Sequence, residues 1–351
     1  MQLSHTILFG LRKINGERTT ASIYHLLKGK RSSQTLQDGT VYGLSFLFGI
    51  CKKLSRHVYD EQINQLLNLN QIVKIEENTF LLSSLGEAAL TQALQVTPFP
   101  PNLNGLVYKD VTEVVWRRLS LLIQTVSHLQ TYTSFLPVQQ DHDTTSWVRT
   151  FLFSLPYSRE QVRDKLYEEI LKLLEALPDE DAAKFVFRLT GAHRVGYTSE
   201  QLALYYHQDS FQVHLSFLGT LHYLISHIEQ DNELSFLKAL IPERDDFATI
   251  LSMSAQKTYM LWKNGRGIEE MAALRRLKQN TIEDHLVEIA MHVPSFRVDH
   301  FVSDDKLKRI RTVIQEVNTR KLRVLKEYVG TDIDYFSIRL VLASLGGASE
   351  S

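Results

Sequence analysis

Apolar residues recur at three- and four-residue intervals through most of this chain, the mark of amphipathic helix. With only 16 glycines and 8 prolines, few positions interrupt that rhythm, and a mainly α fold is expected. One stretch departs from it. Residues 59–69 keep helical spacing through Ile63, Leu66 and Leu67, but 72–75 and 79–82 are short β-rich runs either side of Glu76-Glu77-Asn78. Two such runs around a polar turn predict a hairpin. Helix resumes at 83–89. Helix, small hairpin, helix is the order of a winged helix-turn-helix, with the hairpin as wing; it also fits a hairpin packed on helices without a ligand. Glu76 and Glu77 disfavour placing that turn beside phosphates.

The breaks in the helical pattern predict three domains. Pro98, Pro100 and Pro101, followed by residues 102–105, read as a linker. Further breaks lie at 137–145 and 241–247, the second around Pro242. The expected organisation is a winged-helix-like domain at 1–97, a central helical domain at 105–245 and a helix-turn-helix domain at 250–351. In the central region Ser158-x-x-Gln161 and Thr198-x-x-Gln201 fit the capping box, and Pro178-Asp179-Glu180 fits a helix start. Val162, Leu166, Ile170 and Leu173 make one apolar stripe, and Gly191 suits a left-handed cap closing a helix over 182–189. Residues 198–227 are rich in aromatics and histidine. His207 and His214 on one helical face would lie two turns apart, ~10 Å of rise, with no third ligand, so core and interface histidines are expected rather than a metal site.

Charge separates these regions. The 351 residues carry a formal net charge of −1, yet residues 1–100 hold 10 basic and 7 acidic side chains, 101–250 hold 13 and 20, and 251–351 hold 16 and 13. Two basic ends around an acidic middle suggest modules with different partners. The single cysteine, Cys51, excludes an intramolecular disulfide and fits a reducing cytoplasm. The N-terminus lacks the features of a secretion signal, and no apolar run approaches the ~20 residues of a membrane span.

The expected chemistry is binding rather than catalysis. Gly29-Lys30-Arg31-Ser32 fails as a phosphate loop because Tyr24 stands at the required first glycine and Arg31 replaces the required Ser or Thr. Catalytic motifs are missing from the sequence, Cys51 lies in an apolar stretch, and Asp141-His142-Asp143 reads as linker rather than metal site. No catalytic residue, metal or cofactor is expected.

The richest constellation lies at 258–286. A helix carrying Tyr259, Leu261 and Trp262 ends at Asn264-Gly265-Arg266-Gly267. Ile268 and Met271 then face a core, Ala272 permits close approach, and Arg275-Arg276-Leu277-Lys278 forms a turn. Thr281 is expected to cap a second helix whose inner side holds Ile282 and Leu286. Lys278, Gln279, Asn280, Glu283 and Asp284 would face outward, where the two acids disfavour sequence-specific groove reading. Downstream, Leu307, Ile310, Ile314, Val317, Lys321, Val324 and Tyr328 step by three and four as though along one long helix, with Lys321 the polar exception, and residues 306–326 carry eight basic side chains against Glu316 alone. That run is either a solvated face or a phosphate-tracking surface. On the second reading the DNA contacts are Lys263, Arg266, Arg275, Arg276, Lys278, Gln279, Asn280, Lys306, Lys308, Arg309, Arg311, Arg320, Arg323 and Lys326.

Residues 258–345 resemble the helix-turn-helix domain at the C-terminal tail of RecQ-type DNA helicases. The likeness rests on the Leu261–Trp262 helix, Gly267-Ile268-x-x-Met271-Ala272, Thr281-Ile282-x-x-His285-Leu286 and the late segment Asp334-Tyr335-x-x-Ile338-Arg339-Leu340-Val341-Leu342-Ala343. As a whole the chain resembles the YpbB-like proteins of Firmicutes. The resemblance implies a non-catalytic, nucleoid-associated accessory of DNA replication, recombination or repair, with a RecQ-like helicase as protein partner and sequence-independent contact to DNA. The alternatives are a helix-turn-helix transcription regulator and a purely protein-binding scaffold.

Overall fold

The computed structural model describes residues 1–243, 251–293, 295–317 and 319–347. Seven elements open the chain: α1 (Leu3–Ile14), α2 (Thr20–Lys28), α3 (Ser33–Val41), α4 (Arg56–Asn68), β1 (Ile72–Glu76), β2 (Thr79–Leu82) and α5 (Ser84–Val96). The middle holds α6 (Gly105–Thr131), α7 (His142–Ser154), α8 (Arg159–Leu174), α9 (Asp179–Phe187), α10 (Ser199–Tyr206), α11 (Ser210–Gln230) and α12 (Ser235–Lys238). Then follow α13 (Met253–Lys263), α14 (Ile268–Arg275), α15 (Gln279–His292), α16 (Asp304–Val317), α17 (Leu322–Val329) and α18 (Tyr335–Gly347). The fold is mainly α with one small antiparallel hairpin, as expected. The described chain divides into two compact units, one of Met1–Thr6 with Thr91–Glu243, the other joining Ile7–Leu90 to the described residues beyond 250.

In the first unit the proline-rich linker ends at Asn104, whose side chain accepts from the Val107 N–H (3.3 Å) to open α6. The Asn104 N–H in turn donates to His222 Nδ1 at 3.0 Å, and burial lowers that histidine to about 4. His222 is thus a satisfied core histidine. Trp116, Phe185 and Phe217 pack edge-on and stacked at the centre, beside buried Leu119, Leu122 and Ile225. Both capping boxes are formed, at Ser158 and Thr198, and Val162, Leu166 and Leu173 are buried with Ile170 packed against them. Two expectations are corrected. Helix α9 stops at Phe187, and Gly191 pairs with Arg194 in an isolated bridge instead of capping; a Cβ there would lie 2.9 Å from Ser127 Oγ. His207 and His214 do not share a helix, because His207 closes α10 in the left-handed conformation (φ 53°) before α11 begins. Asp141 caps α7 by accepting from the Thr144 N–H at 2.9 Å. Of the third predicted break, residues 244–247 lie outside the described residues.

In the second unit the hairpin pairs Ile72 with Leu82 and Lys74 with Phe80, with an irregularity between Lys74 and Glu76 before the turn. Asn78 takes the left-handed conformation at the turn, and its carbonyl accepts from the Thr20 N–H at 2.9 Å. The tip of the hairpin is therefore fastened to the start of α2. Buried Tyr59 of α4 donates to the Thr20 carbonyl, also at 2.9 Å. Gly86 lets α5 reach the hairpin, since a Cβ would sit 2.0 Å from the Gln71 carbonyl oxygen.

The C-terminal core of this unit is built on α15 and α18, which pack on each other and both meet α3. Val41, at the end of α3, packs against the same apolar cluster as Leu286, Ile289 and Leu340. The long basic helix expected over 306–326 is two helices, α16 and α17. Between them Thr319 Oγ1 donates to Glu17 Oε1 (2.7 Å), the Arg320 N–H reaches the same oxygen (3.3 Å), and the Lys321 N–H donates to Thr319 Oγ1 (3.2 Å). Side-chain acceptors replace the helical ladder there, and the expected seam is lost beyond it: Leu307 and Ile310 reach the core before the break, but after it Leu325 and Val329 do so, while Val324 is half-buried and Tyr328 is 64% exposed.

Candidate nucleic-acid interface

The helix-turn-helix is assembled from α13, α14 and α15. Helix α13 ends at Asn264, and Gly265 (φ 76°) leaves it in the left-handed conformation that glycine adopts freely. Helix α14 ends in the same way at Arg276 (φ 54°), and the Leu277 N–H donates to the Ala272 carbonyl at 3.0 Å, closing the turn. Met271, Ile282 and Leu286 are fully buried, with Ile268, Ala272 and Leu277 packed beside them. Helix α15 begins at Gln279 with Lys278 at its N-cap, so Thr281 lies in its first turn and is not the cap.

Arg275 and Arg276, adjacent in sequence, have opposite fates. Arg275 turns inward: its guanidinium donates to the Ser254 carbonyl (2.6 Å), Ser254 Oγ (3.0 Å) and Thr258 Oγ1 (2.5 Å) and approaches His285 Nδ1 (3.2 Å). Burial first, and that guanidinium second, lower His285 to about 4, so the ring is neutral and accepts. Arg275 joins α13, α14 and α15 and has little left for a ligand. Arg276 and Lys278 are exposed and make no ion pair with any described residue.

The other predicted contacts divide likewise. Lys263 is exposed and lies over the Tyr259 ring, 5.5 Å from its centre; Arg266 pairs with Glu270 at 2.5 Å; Gln279 donates to Glu283 at 3.2 Å; Asn280 is exposed. Of the acids expected to face outward, Asp284 is held by Arg339 at 2.5 Å, which removes part of its repulsion. Downstream, Lys306 donates to the Asp332 carbonyl (3.0 Å) and Arg309 binds the Asp332 carboxylate. Lys326 donates to the carbonyls of Gly330 (3.1 Å), Thr331 (3.2 Å) and Ile333. These three cations hold the 330–333 turn. Arg320 is half-buried at the break between α16 and α17. Lys308 and Arg311 are exposed and unpaired among the described residues, and Arg323, its side chain 90% exposed, is only loosely paired with Glu327 at 3.7 Å.

Sequence reasoning missed a further cationic patch in this unit. The Gly49 and Cys51 N–H groups donate to the Leu26 and Leu27 carbonyls, each at 2.8 Å, laying the 49–51 segment along the end of α2. The Lys52-Lys53 pair thus follows directly on a residue bonded to the end of α2, and Arg56 and Lys28 both lie over the Tyr24 ring. These cations were visible in the sequence, but their approach depends on contacts across more than twenty residues. Cys51 itself is sheltered, and burial pushes its thiol up to about 12, which leaves it unreactive.

Beneath the second helix lies an anchor. Glu288 on α15 is fully buried and accepts from the Ser252 N–H, from Ser252 Oγ (3.1 Å) and from Ser33 Oγ (3.1 Å). Burial raises this carboxyl, and the hydroxyls and N–H stabilise its charge in part. It joins the start of α13 and the first residue of α3 to α15. Among the described residues no three His, Cys, Asp or Glu side chains gather as a metal site, and no helix is long and apolar enough to cross a membrane.

Comparison with known proteins agrees with this assembly. Residues 254–342 match the model of a helix-turn-helix domain, which supports DNA binding by this part of the chain. No solved structure matches the chain. Over 342 residues it is 35% identical to Protein YpbB of Bacillus subtilis (strain 168), covering 96% of this chain and 95% of that protein. With a match of that extent, running through both units, the chain belongs to the YpbB family.

Proposed function

We propose that this protein is a non-catalytic adaptor that grips DNA through its C-terminal helices while its other unit holds a protein partner, a RecQ-like helicase. The observation that carries the DNA half is the set of exposed cations without close carboxylates. Arg276 and Lys278 stand at the opening of α15 and Lys308 and Arg311 on α16, joined by Arg323 of α17, which Glu327 holds only loosely. Charge of this kind attracts phosphates without reading bases, and Glu283 and Asp284 on α15 weigh against an operator-reading regulator. The helicase half is supported by the likeness of the C-terminal domain to the tail of RecQ-type helicases. The adaptor would raise the local concentration of the motor on its substrate and do no chemistry itself.

Anisotropy titration with random duplex, forked and single-stranded DNA at two salt concentrations tests the first half. Three to five neutralised phosphates predict a loss of affinity on the order of tenfold or more between 50 and 200 mM salt, without preference for one sequence. Binding confined to one short site would favour a regulator, and indifference to DNA at low salt would favour a scaffold. Co-purification after nuclease treatment, with a RecQ-like helicase identified in the eluate, tests the second half.

A further inference from the structure

The first unit contains a cleft that the DNA reading leaves unused. No Asp, Glu, Lys or Arg occurs between Arg118 and Asp141, so the second half of α6 and the stretch after it offer an uncharged wall. Together with α7 and the start of α8 this wall encloses about 400 Å³, floored by Leu121, Val126, Val148 and Val162. That volume lies within the ~300–1,000 Å³ of natural ligand sites. The wall is held in place by Gln124, itself buried, whose amide donates to the Leu136 carbonyl (3.1 Å) and accepts from the Val138 N–H (2.8 Å).

The mouth shows what would sit there. Phe153 is 85% exposed and lines the cleft, and Leu136, 77% exposed, stands on the wall that Gln124 holds. Large apolar side chains in solvent around a concavity mark a surface that another macromolecule covers. Arg149 and Arg159 also line the cleft, both exposed and in no ion pair among the described residues, Arg159 lying over the Tyr132 ring with Glu160 beside it in sequence. In a region where acids outnumber bases 20 to 13, two unpaired arginines at an apolar opening define a local preference for negative charge. A nucleic-acid strand would gain little from the aliphatic floor, whereas a polypeptide can fill the floor and neutralise the rim together.

We propose that this cleft binds a short linear segment of a partner protein in which bulky apolar side chains stand next to carboxylates. The proposal rests on the reading that this unit holds a protein partner, and it names the chemistry of the contact. The apolar side chains enter over Val126 and Val148 beside Phe153, and the carboxylates meet Arg149 and Arg159.

Panning the full-length chain against a random dodecapeptide display library tests it. Enriched peptides should combine Leu, Phe or Trp with Asp or Glu. An enriched peptide carrying fluorescein should bind on the order of tenfold more weakly to Arg149→Glu with Arg159→Glu, and likewise to Phe153→Asp. All three positions are exposed, so circular dichroism should be unchanged. Failure to enrich peptides, enrichment of lysine-rich or wholly polar ones, or affinity unmoved by either variant would overturn the proposal. So would a self-association that these variants abolish while no peptide binds, since the occupant would then be a second copy of the chain. DNA titration of the same variants should match the parent. A parent chain that ignores DNA yet selects acidic-apolar peptides would reject the DNA half of the function and leave the cleft assignment standing. A helicase that fails to co-purify would reject the named partner alone.

Discussion

Both units lay cations on aromatic rings, most closely in the first, and they differ in where the remaining cations go. In the first, arginines lie on aromatic faces: Arg188 stands 3.9 Å from the Phe217 ring centre, Arg118 4.5 Å from that of Trp147 and Arg194 4.9 Å from that of Phe187. Lys184, almost wholly buried, pairs with Glu180 at 2.6 Å. In the second, Arg275 holds a backbone carbonyl of α13 and Lys306 and Lys326 hold those of the 330–333 turn, while Arg276, Lys278, Lys308 and Arg311 extend into solvent. A basic residue count therefore says little about where a polyanion would bind. What separates an interface cation from a structural one is whether the fold already supplies its acceptors.

Removing the anchor of the second unit should give the largest effect. Glu288→Ala leaves the Ser252 N–H and two hydroxyls without their buried acceptor, at a cost of roughly 2–4 kcal/mol. Hydrogen exchange should show lost protection in α3, α13 and α15 while α6 and α11 keep theirs; equal loss in both units would mean that they do not unfold independently.

Acidification comes next. Burial is the main cause that lowers His222 in the first unit and His285 and His292 in the second to about 4, against an ordinary value of 6.5. The unfolded chain binds these protons and the folded chain does not, so stability is full above about pH 6.5 and falls as pH drops toward 4. The slope approaches about 1.4 kcal/mol per pH unit for each histidine. With two such groups against one, the second unit should lose protection more steeply between pH 6.5 and 5. A steeper loss in the first unit would break the contrast.

The finest test separates the adjacent arginines. Arg275→Ala should lower stability by about 2 kcal/mol, because several charge-assisted hydrogen bonds go with it. Arg276→Glu with Lys278→Glu should leave the thermal midpoint within a degree or two and weaken DNA binding on the order of tenfold. Identical behaviour of the two variants would show that position 275 is not committed to the fold.

Local signals in the sequence were reliable and nonlocal ones were not. The hairpin, both capping boxes and the buried Met271, Ile282 and Leu286 each depend on a handful of neighbouring residues, and each is present. Arg275 could not be told from Arg276, because the Ser254 and Thr258 acceptors that hold the first lie about twenty residues earlier, on another helix. Lys321, the one polar position in the seam read over 307–328, was the sole trace in the spacing of the break that Glu17 imposes from three hundred residues away. Nonlocal contact also hid the shared packing of α3 with α15 and α18 and, over little more than twenty residues, the cations at the end of α2.

The joining of Ile7–Leu90 to the C-terminal helices has a consequence for biosynthesis. At ~5–20 residues per second, α3 leaves the ribosome roughly 10–50 s before α15 and α18 are made. Through that interval Val41 and Ser33 wait without the surfaces that finally cover them, exposed to chaperones and proteases. A fragment cut out at the ends of the helix-turn-helix match would carry the complementary defect, a bare face on α15 and α18 where α3 belongs.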